Sequence, residues 1–169
     1  SLLIDSKSRT AFVALSPRAD EELLKEYANL SGNSIVTFRA FGPKNEAIYH
    51  TNVMLCIADK YAVIGRETIA SEDRERVCDE LRKRGKELIF LSNDQVYNHF
   101  AGNMLQLQNK VGEKYLVMSS NAKESLSTEQ IEKITSFGDK IIDTSLSIIE
   151  QIGGGGARCM MAEIFVKTN

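Results

Sequence analysis

Long apolar runs are missing from this 169-residue chain: the longest, such as Val53–Ala58, are far too short to span a bilayer. Runs of basic residues are missing as well. Lys plus Arg number 21 against 23 Asp plus Glu, a formal net charge of −2, so neither a nucleic-acid groove nor a membrane-surface patch is expected. Cysteine is scarce. Cys56, Cys78 and Cys159 are odd in number and show no CxxC spacing, which argues against a disulfide framework or structural zinc and suits reduced thiols in the cytoplasm. No charged leader with an apolar segment and small-residue cleavage site opens the sequence, so a cytoplasmic location is expected. Histidine occurs only at positions 50 and 99, and without a His/Asp/Glu cluster no metal or other cofactor is called for. What remains is an ordinary globular composition, 43% hydrophobic and 26% charged, at a length suited to one domain over residues 1–169.

The chain repeats itself. Three segments read as helices, opening respectively at Ser16-Pro17, at Ser71 and at Ser127-Thr128-Glu129-Gln130, the last with capping-box spacing. Carboxylates cluster early in each, where the positive end of the helix dipole favours them. Each closes on a glycine, Gly32, Gly85 or Gly138, at two successive intervals of 53 residues. Two short apolar runs precede each helix: Leu2–Ile4 with Ala11–Leu15, Val53–Ile57 with Tyr61–Ile64, and Met104–Leu107 with Tyr115–Met118. A third run follows each helix: Ser34–Phe38, Glu87–Leu91 and Lys140–Ile142. The unit is strand, strand, helix, strand, over residues 1–49, 50–99 and 100–152 approximately. A run at 157–167 reads as the first strand of a fourth unit. Each helix offers one narrow apolar stripe, such as Leu23, Leu24, Tyr27 and Leu30, so a unit has to pack on its neighbours.

The residues just before each unit's first strand then occupy equivalent places. They are Tyr49-His50-Thr51-Asn52, His99-Phe100-Ala101-Gly102-Asn103 and Gly153–Gly156 with Ala157-Arg158-Cys159. A histidine, asparagines and a cysteine thus reach one pole from about 50 residues apart, where loops assemble sites. Taken singly, Cys159 is either a core thiol or a nucleophile. His50 is a surface histidine or its acid–base partner, with His99 the rival, and Asn52 and Asn103 are turn residues or substrate ligands. The glycines tilt the choice, because four in succession cost stability unless close approach is needed. Cys56 and Cys78 lie within an apolar strand and a helix and read as structural. The glycine run lacks a following Gly-Lys-Ser/Thr, which argues against nucleotide binding.

Three segments, Tyr49–Leu55, His99–Leu105 and Gly154–Met160, closely resemble the amidinotransferase-related family of guanidino-modifying enzymes. Its bacterial citrulline-utilisation hydrolases are the nearest branch, with arginine deiminase and dimethylarginine dimethylaminohydrolase further out. The resemblance implies the pentein fold, a five-bladed α/β propeller of ββαβ units around a central site. Three units and one strand make only part of such a ring. The chain is therefore expected to be the C-terminal portion of a longer enzyme, completed by an N-terminal segment or by another copy in a homo-oligomer. An acidic group gripping a guanidinium would lie in that absent part. Asn52 stands where many deiminases carry aspartate, which is compatible with a neutral ureido group.

The resemblance implies a cysteine-dependent hydrolase of the ureido or guanidino group of an arginine- or citrulline-like amino acid, working through a covalent thio intermediate. Cys159 attacks and His50 transfers protons, from within about 3–6 Å of each other. Asn52, Asn103, Gly155 and Gly156 hold the substrate, and Arg158 fixes its carboxylate or assists the thiol. Amidino transfer to an amine and a non-catalytic binding or assembly module are the alternatives.

Overall fold

The computed structural model describes residues 2–162. The first sheet contains β1 (Leu3–Asp5), β2 (Thr10–Ala14) and β3 (Ser34–Phe38), with helix α1 (Glu21–Ser31) between the last two. The second contains β4 (Leu55–Ile57), β5 (Tyr61–Ile64) and β6 (Glu87–Phe90), with α2 (Ser71–Lys83) as its crossover and a short α3 (Asn93–Tyr97) after it. The third contains β7 (Leu105–Gln108), β8 (Lys114–Ser119) and β9 (Asp139–Thr144), with α4 (Ser120–Ser125) and α5 (Thr128–Ser136) in the crossover. A last helix, α6 (Ser147–Gly153), leads out of it. In every sheet the first strand pairs antiparallel with the second, and the second pairs parallel with the third. The architecture is mixed α/β, built from three ββαβ units.

The middle strands explain why the units stay together. Every residue of β2 and of β5 is buried, so each strand is covered on both faces, as parallel pairing with a crossover helix demands. One face is covered by the unit's own helix. The other needs a neighbour, and α2 packs on β3 of the preceding unit as well as on its own β6. The first strands meet on the inside, β1 against β4 and β4 against β7. One apolar core runs through all three sheets, including Phe12, Phe38, Tyr61, Ile64, Leu116 and Ile134. A small second cluster of Ala11, Val13 and Leu24 lies under α1.

The helix stops are as expected: Gly32, Gly85 and Gly138 all have positive φ (67°, 75° and 92°), a conformation that costs other residues more. The capping box of Ser127 and Gln130 is formed at α5. The first helix start is not where Ser16-Pro17 suggests. Asp20 caps α1, its carboxylate accepting from the N–H groups of Glu22 and Leu23 at 2.9 and 3.1 Å. Ser16 opens a turn instead, its carbonyl accepting from Ala19 N–H at 2.9 Å.

Two strand expectations also change. Of Val53–Ile57 only Leu55–Ile57 is strand, because Thr51–Val53 coils into a single 3-10 turn. Thr51 is fully buried there, and its hydroxyl accepts from Ala14 N–H of β2 at 2.9 Å. The strand expected over 157–167 begins instead with a 3-10 turn, Ala157–Met160, held by Cys159 N–H donating to Gly156 O at 3.2 Å and Met161 N–H to Arg158 O at 3.4 Å. Residues 163–167 of that expectation lie outside the described residues.

A buried ion pair ties the first two units. Lys86, just before β6, places Nζ 3.1 Å from the Asp5 carboxylate at the end of β1, with side chains only 2% and 6% exposed. The same ammonium donates to the carbonyls of Ala58 and Asp59 at 2.9 and 3.2 Å. Removing one partner strands the other charge in the interior. Lys86→Met is therefore expected to cost about 3–5 kcal/mol in urea unfolding, much of it recovered when Asp5→Asn is added. A single variant as stable as the parent would contradict this account.

Candidate active site

Glycines let the three junction segments approach one another. A Cβ at Gly102 would sit 2.4 Å from Val53 O and 2.7 Å from Met54 Cα, so only a residue without a side chain brings the 99–103 segment onto the 50–54 turn. Phe100 beside it has φ of +54°, unusual for a bulky residue, and its carbonyl accepts from Asn103 N–H at 2.8 Å. Gly154 caps α6 in the left-handed conformation. Its carbonyl accepts from the Tyr49 hydroxyl at 3.2 Å, which pins the glycine run to the residue next to His50.

The thiol of Cys159 lies where these segments meet. Asn103 Nδ2 donates to Sγ at 3.2 Å, and Asn52 Nδ2 lies 3.9 Å from the same sulfur. Asn103 Oδ1 accepts from Cys159 N–H at 3.3 Å. Cys159 is exposed, whereas Cys56 and Cys78 are buried, and burial pushes the Cys78 thiol up from its ordinary value. The structure thus brings Asn52, Asn103 and Cys159 together. The room at Gly155 and Gly156 is taken by this chain's own atoms: a Cβ at Gly155 would lie 3.1 Å from Cys159 Sγ, and one at Gly156 3.0 Å from Asn103 Oδ1. Asn52 Oδ1 is buried and has no hydrogen-bond partner.

His50 precedes the Thr51–Val53 turn and is half-buried, its ring 4.7 Å from that of Tyr49. Among the described residues it makes no direct hydrogen bond with Cys159. Burial holds its imidazole below the ordinary histidine range, and nearby positive charge, the Arg18 guanidinium included, adds to the effect. His99 is committed elsewhere: Nδ1 pairs with Asn121 Oδ1 at 2.7 Å, and Nε2 lies 3.4 Å from the Asp94 carboxylate. Arg158 turns toward a small cavity between the inner strands, lined also by Leu3, Asp5, Cys56, Met104 and Gln106, and donates to Met161 O at 2.9 Å. Among the described residues no group of three or more His, Cys, Asp or Glu is placed to hold a metal ion, and no helix is long and apolar enough to cross a membrane.

Sequence reasoning missed the supports of the site. Tyr49, Thr51 and Gly102 stood inside the motif segments, but their roles are contacts with distant chain that no spacing rule exposes.

The sequence model of a family described as N,N dimethylarginine dimethylhydrolase, eukaryotic, matches residues 1–166. The chain belongs to this family. No curated protein matches, but solved structures share the fold. Over 94% of this chain and 23% of the other, it is 18% identical to the apo form of ArgZ, an arginine dihydrolase from the ornithine-ammonia cycle in cyanobacteria, with a TM-score of 0.74. The product-bound N-terminal domain of ArgZ is 19% identical over 94% of this chain and 52% of that domain, with a TM-score of 0.71. SxtG, an amidinotransferase from Microseira wollei in the saxitoxin biosynthetic pathway, is 12% identical over 90% of this chain and 41% of that chain, with a TM-score of 0.59. The dimethylhydrolase-family chain described here thus has the pentein fold of these enzymes. It spans under a quarter of the apo ArgZ chain and about half of the ArgZ N-terminal domain.

His50 makes the electrostatics of the site measurable. In an NMR titration the His50 ring is expected to protonate below about pH 6.5, the ordinary histidine value. Arg18→Gln should move its midpoint upward, because a neighbouring cation disfavours the imidazolium. A His50 midpoint above 6.5 in the parent, or a downward shift in the variant, would show the environment to be wrongly described.

Proposed function

We propose that this chain carries the nucleophilic half of a cysteine-dependent hydrolase acting on the guanidino or ureido group of an arginine- or citrulline-like amino acid. The observation that carries the reading is the position of Cys159: an exposed cysteine whose sulfur is met by the amides of Asn103 and Asn52, the latter two residues after His50, whose imidazole is held below the ordinary histidine range. Membership in a dimethylhydrolase family supports hydrolysis over transfer. Among the fold relatives, one ArgZ variant is described as covalently bound to a reaction intermediate.

The chemistry follows from these groups. The carbon under attack is resonance-stabilised, so it needs a strong nucleophile and a proton for the leaving nitrogen. Neutral His50 takes the Cys159 proton, and the sulfur bonds to the carbon to give a tetrahedral adduct. His50 returns the proton to the leaving nitrogen as the C–N bond breaks, so ammonia or an amine departs and a thiouronium or thiocarbamate stays on Cys159. His50 then takes a proton from water as the new C–O bond forms, and the C–S bond breaks as His50 returns that proton to sulfur, restoring the thiol and the neutral imidazole. Asn52 contributes a neutral acceptor, Oδ1, for an N–H on the attacked carbon. An amide in that position suits a neutral ureido group better than a carboxylate would, since it adds no charge to neutralise.

The test is release of ammonia or amine from L-arginine, L-citrulline and methylated arginines. Cys159→Ser is expected to reduce turnover by about a thousandfold or more while leaving the fold intact. Cys78→Ala, in a buried helical position, should keep turnover within a few-fold. A Cys159→Ser protein that still turns over at the parent rate would overturn the proposal.

A further inference from the structure

The family resemblance gives Asn103 to substrate binding, but its contacts leave it little to offer a substrate. The residue is 1% exposed. One Nδ2 proton goes to Asn52 O at 2.9 Å and the other to Cys159 Sγ at 3.2 Å. Oδ1 accepts from Cys159 N–H at 3.3 Å, and the Asn103 carbonyl accepts from Arg158 N–H at 3.4 Å. Both amide protons are therefore committed, and the nucleophilic residue is held at its backbone and at its sulfur by a single side chain. Gly156 allows this approach, since its missing Cβ would lie 3.0 Å from Asn103 Oδ1.

We infer that Asn103 is a positioning residue for the Cys159 sulfur rather than a substrate ligand, an assignment that rests on the proposed nucleophilic role of Cys159. A cysteine side chain is short and has one rotatable bond, so an exposed sulfur samples several directions. The Asn103 amide selects one of them. Its two-point grip also makes the 3-10 turn at Ala157–Met160 part of the site, because the sulfur moves only if the turn or the amide moves. An amide suits this task because it does not ionise, so the grip persists across the working pH range. A residue that orients the attacking atom changes the rate of bond formation, whereas one that touches the substrate changes its affinity.

The experiment measures inactivation by 2-chloroacetamidine, whose amidinium mimics a guanidinium and whose C–Cl bond breaks, releasing chloride, as the sulfur bonds to carbon. Saturation kinetics separate binding (KI) from alkylation (kinact), and peptide mapping identifies the thiol. The parent is expected to be labelled at Cys159 alone, with buried Cys56 and Cys78 spared. In Asn103→Ala, kinact should fall by about tenfold or more, the size expected for one lost hydrogen bond to the reacting atom, while KI stays within about twofold. Labelling of all three thiols in that variant would report unfolding, and Gly156→Ala, which keeps Asn103 but crowds its carbonyl, then decides by the same kinact criterion. Unchanged kinact in the folded variant, or a raised KI with kinact preserved, overturns the positioning role alone. Equal labelling of all three thiols in the parent overturns the nucleophile reading on which the inference rests.

Discussion

The first two units each contain a strand buried on both faces, and that single constraint organises the rest. A ββαβ unit has one helix and can cover only one side of β2 or β5; a neighbouring unit has to cover the other. The stacking this enforces, with α2 wedged between β3 and β6, brings the first strands together on the inside and turns their starting ends toward one pole. Hydrophobic burial, worth about 25 cal/mol per Å², thus fixes the geometry of a polar site to which it contributes no atom. The Lys86–Asp5 pair acts at the other ends of the inner strands, where it satisfies carbonyls that the stacking has buried.

At the pole itself the controlling feature is the absence of side chains. Gly102 brings one junction against another, and Gly156 brings the cysteine turn against Asn103. These approaches convert separate loops into a cluster in which a buried amide touches the Cys159 nitrogen and its sulfur. The orphaned Asn52 carbonyl oxygen is the complementary feature. A buried acceptor without a partner costs free energy, which an N–H donor reaching it would recover. One asparagine is consumed by the protein and the other retains an unused acceptor, a division of labour between residues of identical chemistry.

The helices and the ββαβ order were legible in the sequence because they rest on local physics. Gly32, Gly85 and Gly138 end helices for the conformational reason that marks them in any sequence, and Ser127 with Gln130 forms its box from residues three apart. The junction residues were legible as a group once the repeat was recognised. What escaped depends on distant chain. Asp20 rather than Ser16 caps α1 because its carboxylate reaches two N–H groups there. Thr51 coils the residues before β4 because a strand of another unit donates to its hydroxyl. The apolar run around Met160 promises a strand, but the contact between Asn103 and Cys159 coincides with a turn at its start. His99 stood in the sequence as the rival of His50, and its commitment to Asn121 and Asp94 separates the two further.

The central claim is that a covalent bond forms between Cys159 and the substrate carbon. Acid-quenched mass spectrometry during turnover of L-arginine or L-citrulline tests it most directly, since acid stops hydrolysis of the thio intermediate. The account predicts an added mass equal to the substrate less its departing ammonia, mapped to the peptide containing Cys159 and absent from those of Cys56 and Cys78. Turnover with no adduct at any quench time under conditions that slow hydrolysis, or an adduct on either buried thiol, would contradict it.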